Sequence, residues 1–322
     1  MSTCKEKYRK LCEVEKSICV YDQPWWLDAI CGSDWDVFLQ YSGDEIEASM
    51  VYYKKQKMKI GYITQPPFTQ HNGPWIREQD GLSENKKLAK EKKLVTAFLN
   101  SIESICGISF FQQTLNITTT NWLPYFWMGY KQTTRYTYRI NDISNLDVVL
   151  SGMHHSKRQN IKKAKKKKLQ FNYDLNSKDF YEFHKKTLEE LGKKIEYSYD
   201  LFKRIYDAAY SNKTGRVFFV TDEEGKLLSA LFNIWDNNCA YDLISAVSLE
   251  GRKTCALDYC VWNAISEFSA KGIKSYDFEG SMIENVEESF RKFGAIQTPY
   301  FKIYKTFTKN PIIRAVIEKK LK

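Results

Sequence analysis

The chain has 322 residues, enough for two domains that each bury a core, and its 43% hydrophobic, 27% charged composition excludes a disordered or fibrous protein. Its net charge of +10 is unevenly placed: residues 1–145 carry 18 basic and 16 acidic side chains, residues 146–322 carry 31 and 23. Eight cysteines without a CxxC pair or a neighbouring CxxH speak against a metal site, so no metal is expected and reduced thiols are.

The N-terminal residues lead into no apolar segment of secretory type. The longest apolar-aromatic run, Trp122 to Tyr130, is about half of the ~20 residues that a spanning helix needs, and it contains Pro124 and Gly129. Cytoplasmic localisation is the expectation.

In chain order, a polar lead-in precedes a short helix over 23–30 with Pro24 near its start. Strands follow at 35–41, 45–54 and 58–64, the first two closing a hairpin around Gly43-Asp44. The segment Gln65 to Trp75 is a breaker-rich loop. A helix over 83–105 carries Leu88, Val95, Phe98, Leu99 and Ile102 on one face, and strands near 109–115 and 129–140 close this half. The second half reads as a strand (169–175), two helices (179–191 and 199–210) and three strands (216–222, 227–235, 240–247). A helix (256–270), a strand (274–279), a helix after Ser281-Met282-Ile283-Glu284 and a last strand (300–307) complete it. That tetrapeptide has the capping-box pattern, and a basic amphipathic tail ends the chain. The division is expected at 1–145 and 146–322, with the tail packing back on the first domain.

The second half has the order β α α β β β α β α β, which is that of the GNAT acyltransferase fold, whose central strands splay apart. Specific segments sharpen the likeness. Lys157-Arg158-Gln159-Asn160-Ile161-Lys162-Lys163-Ala164 resembles the K-R-x-x-I-x-K-A stretch that opens the second domain of Fem-family proteins. Tyr276-Asp277-Phe278-Glu279-Gly280, followed by Phe290 to Ala295, resembles their Y-D-F-x-G and F-K-x-x-F-G signatures, and Lys302-Ile303-Tyr304-Lys305 their lysine-bearing last strand. The resemblance covers most of 150–305 and, more weakly, the first half as a degenerate copy. It implies an α/β fold of tandem GNAT-type domains with mixed sheets, and an acyltransferase of the FemAB/FemX type. Fem enzymes use aminoacyl-tRNA and extend the peptide of a peptidoglycan precursor; the wider superfamily holds acyl-CoA enzymes that act on amino-sugars and amines. The long charged helical hairpin of some Fem members is absent, so acetyl-CoA (or another acyl-CoA) and aminoacyl-tRNA both stay open as co-substrate, with no permanently bound cofactor.

In a GNAT fold the donor's pyrophosphate sits on the backbone N–H groups of a helix N-terminus. The corresponding turn makes Ser248, Gly251, Arg252, Lys253 and Thr254 the donor-binding candidates, an ordinary basic loop being the alternative. Asp277 and Glu279, alternating along one strand, are expected to face the same side as proton acceptors, although Glu279 could equally cap the following helix. Lys305 is a candidate for stabilising the oxyanion and Tyr304 for the proton donor. The stretch from Lys157 to Lys168 holds eight basic residues and no acid. It reads either as a solvated helix or as a surface for a phosphate-bearing partner, namely aminoacyl-tRNA, a nucleotide-sugar or a lipid-linked sugar. Arg158, Lys162 and Lys165 represent that surface. Gln70 and His71, in the breaker-rich loop, are acceptor-binding candidates, and His184 reads as a core histidine. The leading function is transfer of an acyl or aminoacyl group to an amine of a cell-wall or surface-polysaccharide precursor. The alternative is a non-catalytic GNAT-like protein that binds nucleic acid or an anionic carrier through residues 157–168.

Overall fold

The computed structural model of the chain describes residues 2–57, 60–280, 282–311, 314, 315 and 317. The elements of the N-terminal part are α1 (Cys4–Val14), α2 (Pro24–Cys31), β1 (Trp35–Ser42), β2 (Glu45–Lys57), β3 (Ile60–Thr64), β4 (Pro74–Ile76), α3 (Glu84–Glu103), β5 (Ile108–Thr114), α4 (Leu123–Trp127) and β6 (Lys131–Ile140). There follow α5 (Leu146–Gly152), α6 (His155–Lys166), β7 (Gln170–Tyr173), α7 (Ser177–Glu189), α8 (Tyr199–Ser211), β8 (Gly215–Thr221), β9 (Leu227–Trp235) and β10 (Cys239–Val247). The last are α9 (Leu249–Thr254), α10 (Ala256–Ala270), β11 (Ser275–Asp277), α11 (Glu284–Lys292) and β12 (Ile296–Thr306).

These elements form two compact units, Met1–Arg135 with Pro299–Lys322, and Tyr136–Thr298. The division therefore falls inside β6 and β12 and not at 145/146. The C-terminal strand is part of the first unit because Lys302–Thr306 pair antiparallel with Phe110–Thr114 of β5.

In the first unit the strand order is β1-β2-β3-β5-β12, with β4 on β2. Helix α3 buries Leu94, Val95, Phe98, Leu99 and Ile102 against Phe111 and Ile303 of the sheet. Its expected apolar face is shorter than the sequence suggests, because Leu88 is exposed. The polar lead-in is a real helix. Thr3 and Glu6 form a capping box, and Tyr8, Leu11 and Cys12 supply a narrow buried stripe at helical spacing.

In the second unit the order is β6-β11-β10-β9-β8-β7, antiparallel throughout except for β10 with β11. Helix α10 lays Cys260, Val261, Ala264, Ile265 and Phe268 into the core with Phe218, Leu231 and Tyr276. Three details depart from the sequence reading. The segment 249–254 is a helix, because the Ser248 side chain accepts from the Gly251 N–H and caps it. Strand β11 stops at Asp277. Ser281, on which the expected capping box rests, lies outside the described residues, and the N-cap of α11 is Ile283, without a side-chain cap bond.

Candidate active site

Strands β10 and β11 run parallel but pair only over Cys239–Tyr241 and Ser275–Asp277. Beyond Tyr241, β10 continues to Val247 while β11 ends, so the two edges part in a wedge. Strand β10 is bulged against β9 between Asp242 and Ile244, at the same level. A bulge bends its strand and re-aims side chains, and here it lies one residue past the last paired position.

Asp242 stands at that point. It is buried, its Oδ1 has no hydrogen-bond partner, and burial pushes its carboxyl up to about 7, opposed by a hydrogen bond from Tyr276. Asn233, its cross-strand neighbour, donates from Nδ2 to the Tyr241 carbonyl and the Tyr276 hydroxyl, each at 3.0 Å. Its Oδ1 is buried without a partner. Uncompensated acceptors of this kind are rare in a folded core and are costly to keep unless something else uses them.

On the other strand, Glu279 lies two residues past Asp277 in the left-handed backbone region, at φ 61°. Its Oε1 is buried without a partner, and burial raises the carboxyl well above the usual carboxylate range. Gly280 follows at φ 66°, where a Cβ would lie 2.2 Å from the Tyr136 carbonyl oxygen, so only glycine completes this turn.

Asp277 holds the turn in place. Its Oδ1 accepts from the Glu279 N–H at 2.8 Å and from the Thr137 hydroxyl, while its Oδ2 is 3.2 Å from Arg139 Nη1. Burial raises its carboxyl, and the Arg139 guanidinium opposes the rise. The expectation that Asp277 and Glu279 share one strand face is corrected: Glu279 is off the strand, and the Asp277 oxygens are already engaged.

Residues 153–287 match the family described as Acetyltransferase (GNAT) domain. That segment holds the wedge, both of its carboxyls and the bulge. Residues 153–287 are a GNAT acetyltransferase domain.

The chain is an acyltransferase, and its GNAT domain implies an acyl-CoA or similar co-substrate. Its fold is that of FemX, to which it is 14% identical with a TM-score of 0.72, covering 94% of this chain and 96% of FemX. The C-terminal domain (DUF2156) of a protein assigned as a lysylphosphatidylglycerol synthetase from Agrobacterium fabrum is 12% identical, with a TM-score of 0.59 and coverage of 98% and 96%. The L-PGS of Bacillus licheniformis is 13% identical, with a TM-score of 0.55 and coverage of 89% and 88%. No curated protein matches the sequence at a significant level.

The proposed donor turn of the GNAT domain has commitments of its own. At the start of α9 the Leu249 N–H donates to Glu190 Oε2 at 3.1 Å and the Gly251 N–H to Ser248 Oγ at 3.0 Å. Gly251 is needed for packing, since a Cβ there would lie 2.2 Å from the Leu228 carbonyl oxygen on β9. The Thr254 hydroxyl bonds back to the carbonyls of Glu250 and Gly251. Arg252 and Lys253 are exposed. Two N–H groups of the expected pyrophosphate cradle, those of Leu249 and Gly251, are thus engaged by side chains of the chain itself.

The basic run divides in two. Lys157 is buried, 2.6 Å from Asp258 Oδ1 and 2.9 Å from Ser289 Oγ, with its ammonium 4.3 Å from the Phe293 ring centroid. Asn160 takes the other Asp258 oxygen at 2.7 Å. Arg158 bonds the carbonyls of Ser151 and Met153 at the end of α5. Both residues are clamps, which corrects the expectation that Arg158 contacts phosphate. Lys162, Lys163 and Lys165 to Lys168 are exposed, with Lys168 paired to Glu223 at 3.1 Å. Helix α6 packs beside α9, the helix that carries Arg252 and Lys253, a contact between elements that the sequence does not reveal.

The remaining candidates belong to the first unit. Lys305 donates to Glu103 Oε1 at 2.7 Å and to the Met128 carbonyl at 2.6 Å, and its ammonium lies 4.8 Å from the Tyr130 ring. It is a clamp between β12, α3 and α4 and is not available to an oxyanion. Tyr304 is half-buried opposite Gln112 of β5. His71 is fully buried, with Nδ1 3.2 Å from Asn116 Nδ2 and its ring packed edge-on to Tyr21, which corrects its reading as a loop histidine open to substrate. Gln70 has both amide atoms buried without partners. In the GNAT domain, His184 sits 2.6 Å from the Tyr197 hydroxyl and burial lowers it to about 4, as a core histidine should be. Sequence reasoning missed Asp242. Its signal was a single charged residue in the largely apolar strand Ala240 to Val247.

Proposed function

We propose that the chain transfers an acyl or aminoacyl group to an amine of a cell-wall or surface-polysaccharide precursor, at the wedge where β10 parts from β11. The observation that carries this reading is Asp242, a buried carboxyl with a free acceptor oxygen, one residue past the last pairing of the two strands. Its titration near 7 matches a general base working at neutral pH. In the reaction the amine attacks the donor carbonyl, a C–N bond forms, and the donor's C–O bond (aminoacyl ester) or C–S bond (thioester) breaks. The amine's proton passes to Asp242. Glu279, whose carboxyl burial raises well above the usual carboxylate range, returns a proton to the leaving oxygen or sulfur. Two carboxyls raised to different extents divide acid and base work in this way.

For the donor we favour aminoacyl-tRNA. The exposed lysines of α6, a helix that packs beside the one carrying Arg252 and Lys253, suit a long phosphate backbone, whereas two of the N–H groups open to the pyrophosphate of acyl-CoA, those of Leu249 and Gly251, are engaged by Glu190 and Ser248. One structural neighbour is named for an aminoacylated product, lysylphosphatidylglycerol, which supports an aminoacyl cargo. The test is a mass-spectrometric transfer assay with aminoacyl-tRNA and acetyl-CoA in parallel, on a panel of amine-bearing muropeptides and amino-sugars. Turnover of acetyl-CoA alone removes the tRNA assignment. Turnover of neither removes the transferase reading of the wedge.

A further inference from the structure

The aromatic run that begins at Trp122 is too short to span a membrane, yet the fold buries only part of it. In the one-turn helix α4 and at its N-terminus, Leu123, Phe126 and Trp127 are 46%, 56% and 57% exposed. Large apolar side chains scattered singly on a surface are ordinary, but three on one turn are a patch. Their exposure is built in. Tyr125, in the same turn, is completely buried, and Lys305 fixes the last carbonyl of the turn, Met128 O, at 2.6 Å. The Glu103 carboxylate that faces Lys305 is thereby neutralised. The anchored residue and the pinned end leave the other three side chains directed outward.

The neighbouring helix α3 supplies charge. The ammonium of Lys92 lies 4.7 Å from the Trp127 ring centroid. Leu88, one turn earlier on the same face of α3, is 43% exposed and extends the apolar patch. The first ten residues of α3, 84–93, carry five lysines against two glutamates. Exposed Trp, Phe and Leu beside lysines are the composition of a surface that lies in the interface of a bilayer, with rings at the headgroup level and ammonium groups on anionic lipid.

We infer that the α4 turn and the adjoining face of α3 form a docking surface for an anionic lipid bilayer, with Phe126 and Trp127 as the inserted side chains. The charge complementarity argues for lipid headgroups over a second copy of this basic chain. The inference does not depend on the transfer chemistry of the GNAT domain.

The experiment is co-sedimentation of the full chain with phosphatidylcholine vesicles and with phosphatidylcholine/phosphatidylglycerol vesicles, at low and high salt. The chain should bind the anionic vesicles and only weakly the zwitterionic ones. Phe126→Ser/Trp127→Ser should weaken that binding about tenfold or more while the melting temperature is kept, because both side chains already face solvent. Leu123→Ser should give a smaller loss in the same direction, and Lys92→Gln should lower the salt-sensitive part. Replacing Lys165 to Lys168 with Gln separates the α6 lysines from this surface. Absence of binding by the wild-type chain, or binding that survives Phe126→Ser/Trp127→Ser and is lost only with the α6 lysines, overturns the inference. So does a change of oligomeric state in the double variant without a change in vesicle binding.

Discussion

Asp277→Asn separates a residue that positions the site from one that works in it. The substitution keeps size and shape, and an amide carbonyl can still accept from Thr137 and from the Glu279 N–H. It loses the charge opposite Arg139 and turns an amide NH2 toward Nη1, donor against donor across 3.2 Å. The Arg139 side chain is 12% exposed, so water offers little compensation. Breaking a buried pair by removing one partner costs about 3–5 kcal/mol. For a domain of this size each kcal/mol moves the melting temperature by roughly 2–4 °C, so a fall of about 10 °C is expected by calorimetry. Arg139→Gln on the Asp277→Asn background should recover part of it, because the unpaired charge is then gone. A melting temperature within about 2 °C of wild type would falsify the assignment of Asp277 as the clamp of the Glu279 turn.

Other consequences follow from single contacts. Asp242 has a folded-state value of about 7 against an ordinary 3.8, so between these values the native chain holds a proton that the unfolded chain has lost. Its contribution to stability therefore falls as pH rises from about 4 to 7, by about 4 kcal/mol in all, and Asp242→Asn should flatten that slope in pH-dependent melting curves. Gly251→Ala drives a methyl into the Leu228 carbonyl and should cost about 1–3 kcal/mol in denaturant titrations; a raised KM for donor with unchanged stability would instead restore Gly251 to donor binding. Replacing Lys165 to Lys168 with Gln should leave the melting temperature unchanged, raise the KM for aminoacyl-tRNA and flatten the salt dependence of binding, as read by filter binding across ionic strength. Lys157→Met strands Asp258 and should destabilise the GNAT domain by about 3–5 kcal/mol, in contrast to its exposed neighbours.

The order of strands and helices in the GNAT domain was legible because β8, β9 and β10 are rich in apolar residues and α7, α8 and α10 each carry a buried apolar face. The first unit was less legible. The α1 stripe has only three buried residues in a charged background, and β12 joins that unit through pairing distant in sequence. Residue types pointed to chemistry only where burial agreed. Lys157 and Lys162 look alike in the sequence, yet one is clamped between Asp258 and Ser289 while the other faces water. Asp277 stands in a recognisable motif but is engaged on both oxygens, whereas Asp242, in no motif, owes its raised value to burial at a bulge of β10. Strand splay, bulges and unpartnered oxygens are properties of register, which no local pattern in this sequence encodes.

The most direct test of the account is the steady-state rate of acyl or aminoacyl transfer by Asp242→Asn, measured across pH beside the wild-type chain. A general base contributes about 10²–10⁴-fold, so kcat should drop by at least about a hundredfold, the wild-type rise in rate near pH 7 should vanish, and the melting temperature at neutral pH should not fall. An Asp242→Asn chain that retains the wild-type kcat and its pH dependence would contradict the assignment of the wedge between β10 and β11 as the site of transfer.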